Sequence, residues 1–85
     1  MEQVPSARYS VLVGSFRREP EAATLLDQLR GLGYQARTSR FSSAGRGIWH
    51  QVFVGPYSDL NRARQDEARV RLLPGYADAH LVTTQ

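Results

Sequence analysis

The side chains able to do chemistry in this chain are few and far apart. There are two histidines, His50 and His80, and no cysteine. Strand alternation around the two histidines directs them to opposite faces of a sheet, so they cannot share a metal ion. The absence of cysteine removes thiolate catalysis, disulfides and sulfur-ligated metals. The acids are Glu2, Glu19, Glu21, Asp27, Asp59, Asp66, Glu67 and Asp78. Nearly all fall in helix-like stretches or the tail, where a solvated surface accounts for them, and none pairs with another for glycoside cleavage. Ser15 and Ser58 have no His/Asp partner at a recognisable spacing. "GSF" (14–16) and "GRG" (45–47) are too short to cradle a phosphate, and a hairpin turn accounts for the second. The chain therefore reads as a binding module, with no catalytic residue, no metal and no cofactor expected.

Composition sets the frame for those residues. The 85 residues suffice for one domain with one two-layer core. A hydrophobic fraction of 41% and a charged fraction of 22% are those of an ordinary globular domain. No apolar run approaches the ~18 residues of a membrane span, and no signal peptide opens the sequence. The net charge of +3 comes entirely from arginine among the basic residues and favours anionic partners. The arginines are scattered, however, as on a solvated surface.

Residues 1–8 carry no periodicity and read as a tail or linker end. Tyr9, Val11 and Val13 then alternate as in a half-buried strand, which Gly14 and Ser15 are expected to break. Glu19-Pro20-Glu21 suits the first turn of a helix. Ala22, Leu25, Leu26, Leu29 and Leu32 form its apolar stripe, and Gly31 and Gly33 its stop. A second strand is expected over 34–40, a turn over 41–47 and a third strand over 48–54. Ser58 or Asp59 can cap a second helix over roughly 59–73. Its stripe of Leu60, Ala63, Val70 and Leu73 is interrupted by Glu67. Pro74-Gly75 ends it, and 76–83 reads as a last strand.

The chain also repeats itself. "VLVGSF" (11–16) and "VFVGPY" (52–57) are offset by 41, and Gly33-Tyr34 and Gly75-Tyr76 by 42. Two such halves, neither able to bury its apolar side alone, predict an α+β domain of order β-α-β-β-α-β. Its four-stranded antiparallel sheet carries two helices on one face, a ferredoxin-like arrangement. The repeated glycines are expected to turn each strand into its helix.

One face of that sheet is left uncovered. Alternation sends Val11, Val13, Val52 and Val54 under the helices, with Ala36, Thr38, Ala79 and Leu81 from the flanking strands. Ser10, Leu12, Trp49, Gln51 and Phe53 then point outward, with Gln35, Arg37, Ser39, His80 and Val82. A water-facing sheet surface should be polar, yet this one gathers Leu12, Trp49, Phe53 and Val82 beside Arg37 and His80. Such a patch marks a contact site.

The segments "YSVLVGSFRREPEAATLLDQLRGLGYQA", "GRGIWHQVFVGPYSDLNRA" and "GYADAHLV" together resemble the SPOR domain, the sporulation-related repeat of bacterial envelope proteins, over residues 9–83. The resemblance implies non-catalytic binding of peptidoglycan at the division septum, with a preference for glycan strands that lack stem peptides. It implies a periplasmic or envelope location, as the C-terminal domain of a larger, membrane-anchored protein. It also implies that the helix-free face holds the glycan. By position the peptidoglycan-binding residues are Ser10, Leu12, Ser15, Arg37, Trp49, Gln51, Phe53 and His80. Many members of the family carry Gln where this chain has Leu12, so the face is expected to lean more on stacking by Trp49 or Phe53. Polar contacts then fall to Arg37, Gln51 or His80. The domain is expected to be a monomer, with no nucleic acid and no membrane contact of its own.

Two other readings of the open face stand beside this one. A single-stranded RNA-binding module of the same architecture would stack bases on the central strands. Leu12, however, occupies the place of its first-strand aromatic. A protein–protein adaptor would use the patch as a dimer or docking surface.

Overall fold

Four alternating stretches and two apolar stripes close on one core. The computed structural model of the chain describes residues 8–84. They form β1 (Arg8–Phe16), α1 (Glu19–Gly31), β2 (Ala36–Ser43), β3 (Gly47–Tyr57), α2 (Leu60–Arg71) and β4 (His80–Thr84). The strands make one antiparallel sheet in the order β2-β3-β1-β4. This is the expected α+β, ferredoxin-like architecture. Of the expected tail, residues 1–7 lie outside the described residues, and Arg8 opens β1.

Each helix starts and stops for an identifiable reason. Pro20 sits in the first turn of α1, with Glu19 and Glu21 at the positive end of the helix dipole. At its other end Gly33 takes φ 96°, and the Tyr34 N–H reaches back to the Leu29 carbonyl at 3.1 Å while that of Gly33 reaches Arg30 at 3.0 Å. That pair of bonds is a Schellman stop, and it places Tyr34 against Leu29 and the core. Asp59, rather than Ser58, caps α2: its carboxylate accepts from the Asn61 N–H at 2.9 Å.

The core lies between the helices and the inner side of the sheet. Val11, Val13, Val52 and Val54 meet Ala22, Leu25 and Leu29 of α1 and Val70 of α2, with Ala36 and Ala79 at the flanks. Each buried valine or leucine removes enough apolar surface for roughly 1.5–3 kcal/mol at most. Glu67, which breaks the apolar stripe of α2, has its own task. Its carboxylate accepts the outward N–H of Leu81 on edge strand β4 at 2.9 Å, a donor that no further strand pairs. The Tyr57 hydroxyl donates to the Asp66 carboxylate, and burial together with that bond holds its pKa well above the ordinary tyrosine range.

Several sequence expectations shift. Gly14 and Gly55 do not release the chain from its strands, because β1 and β3 each continue two residues further, to Phe16 and Tyr57. Both glycines instead sit at changes of register between β1 and β3. The pairing steps from Leu12↔Phe53 to Gly14↔Val52, leaving Val13 as an extra residue, and from Val11↔Val54 to Tyr9↔Tyr57 across Gly55 and Pro56. The hairpin turn shrinks to Ala44–Arg46, so β2 runs on through Phe41 to Ser43. The last strand starts only at His80, since Tyr76–Ala79 is held in a turn by the Ala79 N–H on the Tyr76 carbonyl, at 3.1 Å. Leu32, at 59% exposure, follows the last helical turn and escapes the core. Thr38 is exposed too, because it borders a cleft lined by Glu19, Ala22, Ala23 and Leu26 of α1.

Gly55 is the position where a side chain is least tolerable. Its φ is 121°, and a Cβ there would stand 3.1 Å from the Tyr9 carbonyl oxygen. Gly55→Ala is expected to cost about 1–3 kcal/mol in urea unfolding. Gly31→Ala, in open space at the end of α1, should be neutral or stabilising by up to about 1 kcal/mol. Equal, small effects at both sites would show that the register change does not depend on this backbone geometry.

Candidate binding face

The outward side chains form rows across the sheet because neighbouring strands hold them in register. Leu12 of β1 stands opposite His80 of β4 and Phe53 of β3, and Phe53 stands opposite Arg37 of β2. His80, Leu12, Phe53 and Arg37 therefore make one continuous row over all four strands. The next row is Ser15, Gln51 and Ser39, and the next joins Trp49 to Phe41. His50 lies opposite Phe16 and Arg40 on the helix side, so the two histidines do face apart.

Ser15 reaches this face through the extra residue at Val13. Strict alternation from Leu12 would put position 14 outward and position 15 inward. With the bulge, Val13 and Gly14 both turn toward the helices, where a Gly14 Cβ would stand 3.3 Å from Leu25 Cδ2. Ser15 then faces out beside Gln51, and Phe16 returns to the core.

Seven of the eight expected site residues present a surface on this side. Leu12, Arg37, Trp49, Gln51 and Phe53 are half-buried, and Ser15 and His80 are exposed. Ser10 is different. It has the right parity, opposite Val82, but is fully buried. Its hydroxyl accepts from Arg37 Nη2 at a long 3.5 Å, so it can act only through that arginine.

Two contributors escape the sequence reading. Phe41 continues the Arg37-Ser39 alternation and is 50% exposed next to Trp49. The Ser, Ala and Gly residues that follow it make its sequence context look like a turn. Arg17 lies in no strand, yet its Cζ sits 4.7 Å from the Trp49 ring centroid. Arg37 repeats the arrangement over Phe53, at 5.0 Å. A shallow depression of about 250 Å³ opens between Ser15, Phe41, Trp49 and Gln51. The larger cleft beside α1, about 520 Å³, belongs to the helix side and includes Glu19, Thr38, Arg40 and His50.

The electrostatics of the face are one-signed. None of the four strands contains an acidic residue. Among the described residues no three His, Cys, Asp or Glu side chains converge on a point where a metal could sit. No helix among them is long and apolar enough to cross a membrane.

The helix-backed sheet thus has a free side that is aromatic, cationic and free of acids. The model of the SPOR domain family matches residues 5–83, and the chain belongs to that family of peptidoglycan-binding domains. No curated protein and no solved structure matches it.

Core and face can be separated by stability. Val54, fully buried, should lose about 1–3 kcal/mol as Val54→Ala. Phe41→Ala should cost less than about 1 kcal/mol, since half of that ring already meets water. Chemical unfolding of both variants measures this, and the reverse order would mean that the two sides of the sheet are exchanged.

Proposed function

We propose that this domain binds peptidoglycan without cleaving it, and that it takes glycan strands lacking stem peptides on the open face of the sheet. The reading is carried by the row His80–Leu12–Phe53–Arg37 and the neighbouring Trp49–Phe41 pair. Sugar rings present apolar C–H surfaces edged by hydroxyl and acetamido groups. A row of apolar side chains ended by His80 and Arg37, with Ser15 and Gln51 alongside, complements both features. The face is open and shallow, which suits a linear chain lying over the sheet. Stem peptides branching from every second sugar would stand between such a chain and the sheet.

Leu12 lies at the centre of the row, between His80 and Phe53. It supplies an apolar contact where the family often carries an amide. Polar recognition therefore falls to the ends of the row and to Gln51. Stripped strands arise where septal wall is being separated, so the domain acts in the bacterial envelope as a targeting module of a division-associated protein. It works as a monomer that needs neither nucleic acid nor membrane.

Co-sedimentation with purified sacculi tests this reading. Binding should increase after amidase treatment strips the stem peptides. Equal binding to treated and untreated walls would remove the preference for stripped strands. Binding to single-stranded RNA that collapses with salt, without wall binding, would assign the face to nucleic acid instead.

A further inference from the structure

Trp49 and Phe53 lie on the same side of β3, four residues and so about 13 Å apart. Each carries an arginine over its ring, Arg17 at 4.7 Å and Arg37 at 5.0 Å. Neither guanidinium is ion-paired: among the described residues the ion pair found is Arg69 with Asp66 on α2. A guanidinium over an aromatic ring is fixed by the π-face, which leaves its in-plane N–H fork free to bind a planar anion in two-point fashion. Among the described residues one further bond is formed, the long one from Arg37 to Ser10. The arginines cover part of each ring, so the groups offered to a ligand at these two places are a cationic fork beside the remaining apolar surface.

The geometry points to Arg17 and Arg37 as readers of carboxylates spaced along the glycan. The inference rests on the reading that this face binds stripped strands, and supplies a chemical reason for the preference. Hydrolysis of the amide between the lactyl group of N-acetylmuramic acid and the stem peptide breaks the C–N bond. It leaves a carboxylate on the sugar and releases the peptide as an amine. An intact strand carries a neutral amide at that carbon, whereas a stripped strand carries one carboxylate per disaccharide. The offset of Trp49 from Phe53 along β3, about 13 Å, is on the scale of a disaccharide and larger than one sugar. Selection thus acts on the charge that stripping creates as well as on the bulk that it removes.

Trp49 is the only tryptophan, so its fluorescence reports binding directly. The probes are an amidase-stripped glycan oligomer, the same oligomer with its carboxylates coupled to methylamides, and an oligomer of a uronic acid. The unmodified domain should bind the stripped oligomer at least about tenfold more tightly than the methylamide form, the effect of losing one charge-assisted hydrogen bond. Arg17→Gln and Arg37→Gln should each weaken binding of the stripped oligomer several-fold, and by more than they weaken binding of the methylamide form. Arg17→Lys, which keeps the charge but not the fork, should recover part of the loss. Equal affinity for the carboxylate and methylamide oligomers overturns the inference and leaves the proposed function standing. Failure to bind either one removes the proposed function itself. Uronate binding as tight as that of the stripped oligomer overturns the assignment to lactyl groups.

Discussion

Two helices cover a four-stranded sheet from one side, and among the described residues nothing covers the other. The rest of the molecule follows from that asymmetry. A half-covered sheet must put its apolar alternation on the helix side, and the valines of β1 and β3 do so. The side chains at the intervening positions, Ser10 excepted, are then displayed to solvent on a rigid frame. Leu12, Phe53 and Trp49 are held in rows by backbone pairing rather than by loops. Little conformational entropy would be lost on meeting a ligand there.

The register changes between β1 and β3 refine that display. The extra residue at Val13 rotates the end of β1, so Phe16 returns to the core and Ser15 comes out beside Gln51. The change at Gly55 does the same for Tyr57, whose ring packs on the core and whose hydroxyl holds Asp66 of α2. The repeated Val-x-Val-Gly-x-aromatic phrase is therefore a device for ending a strand with its aromatic facing inward. Two copies occur because β1 and β3 are the two central strands and each leads into a helix.

The period of the apolar residues made the architecture legible before any coordinates, because alternation and the helical stripes each specify one buried side. The same logic places Leu12, Arg37, Gln51, Phe53 and His80 on the open side. It fails where depth or reach decides. Parity assigns Ser10 to the face but cannot tell that Arg37 and the neighbouring strands bury it. Phe41 looks like turn because the small residues after it look like turn, whereas the hairpin needs only Ala44–Arg46. Arg17 is invisible to periodicity, since it enters the site from a loop by the length of its side chain. Thr38 has inward parity, but it borders a cleft beside α1 that leaves it open to water. Sequence period reports direction well, and packing distance poorly.

In the proposed function the helix-free face is the glycan surface. Amide chemical shifts followed while a stripped glycan oligomer is titrated into the domain test it most directly. Changes should concentrate at Leu12, Ser15, Arg37, Trp49, Gln51, Phe53 and His80, with Ala63 and Val70 of α2 unmoved. Changes centred on α1 and α2, or on the cleft around Thr38 and His50, would contradict it.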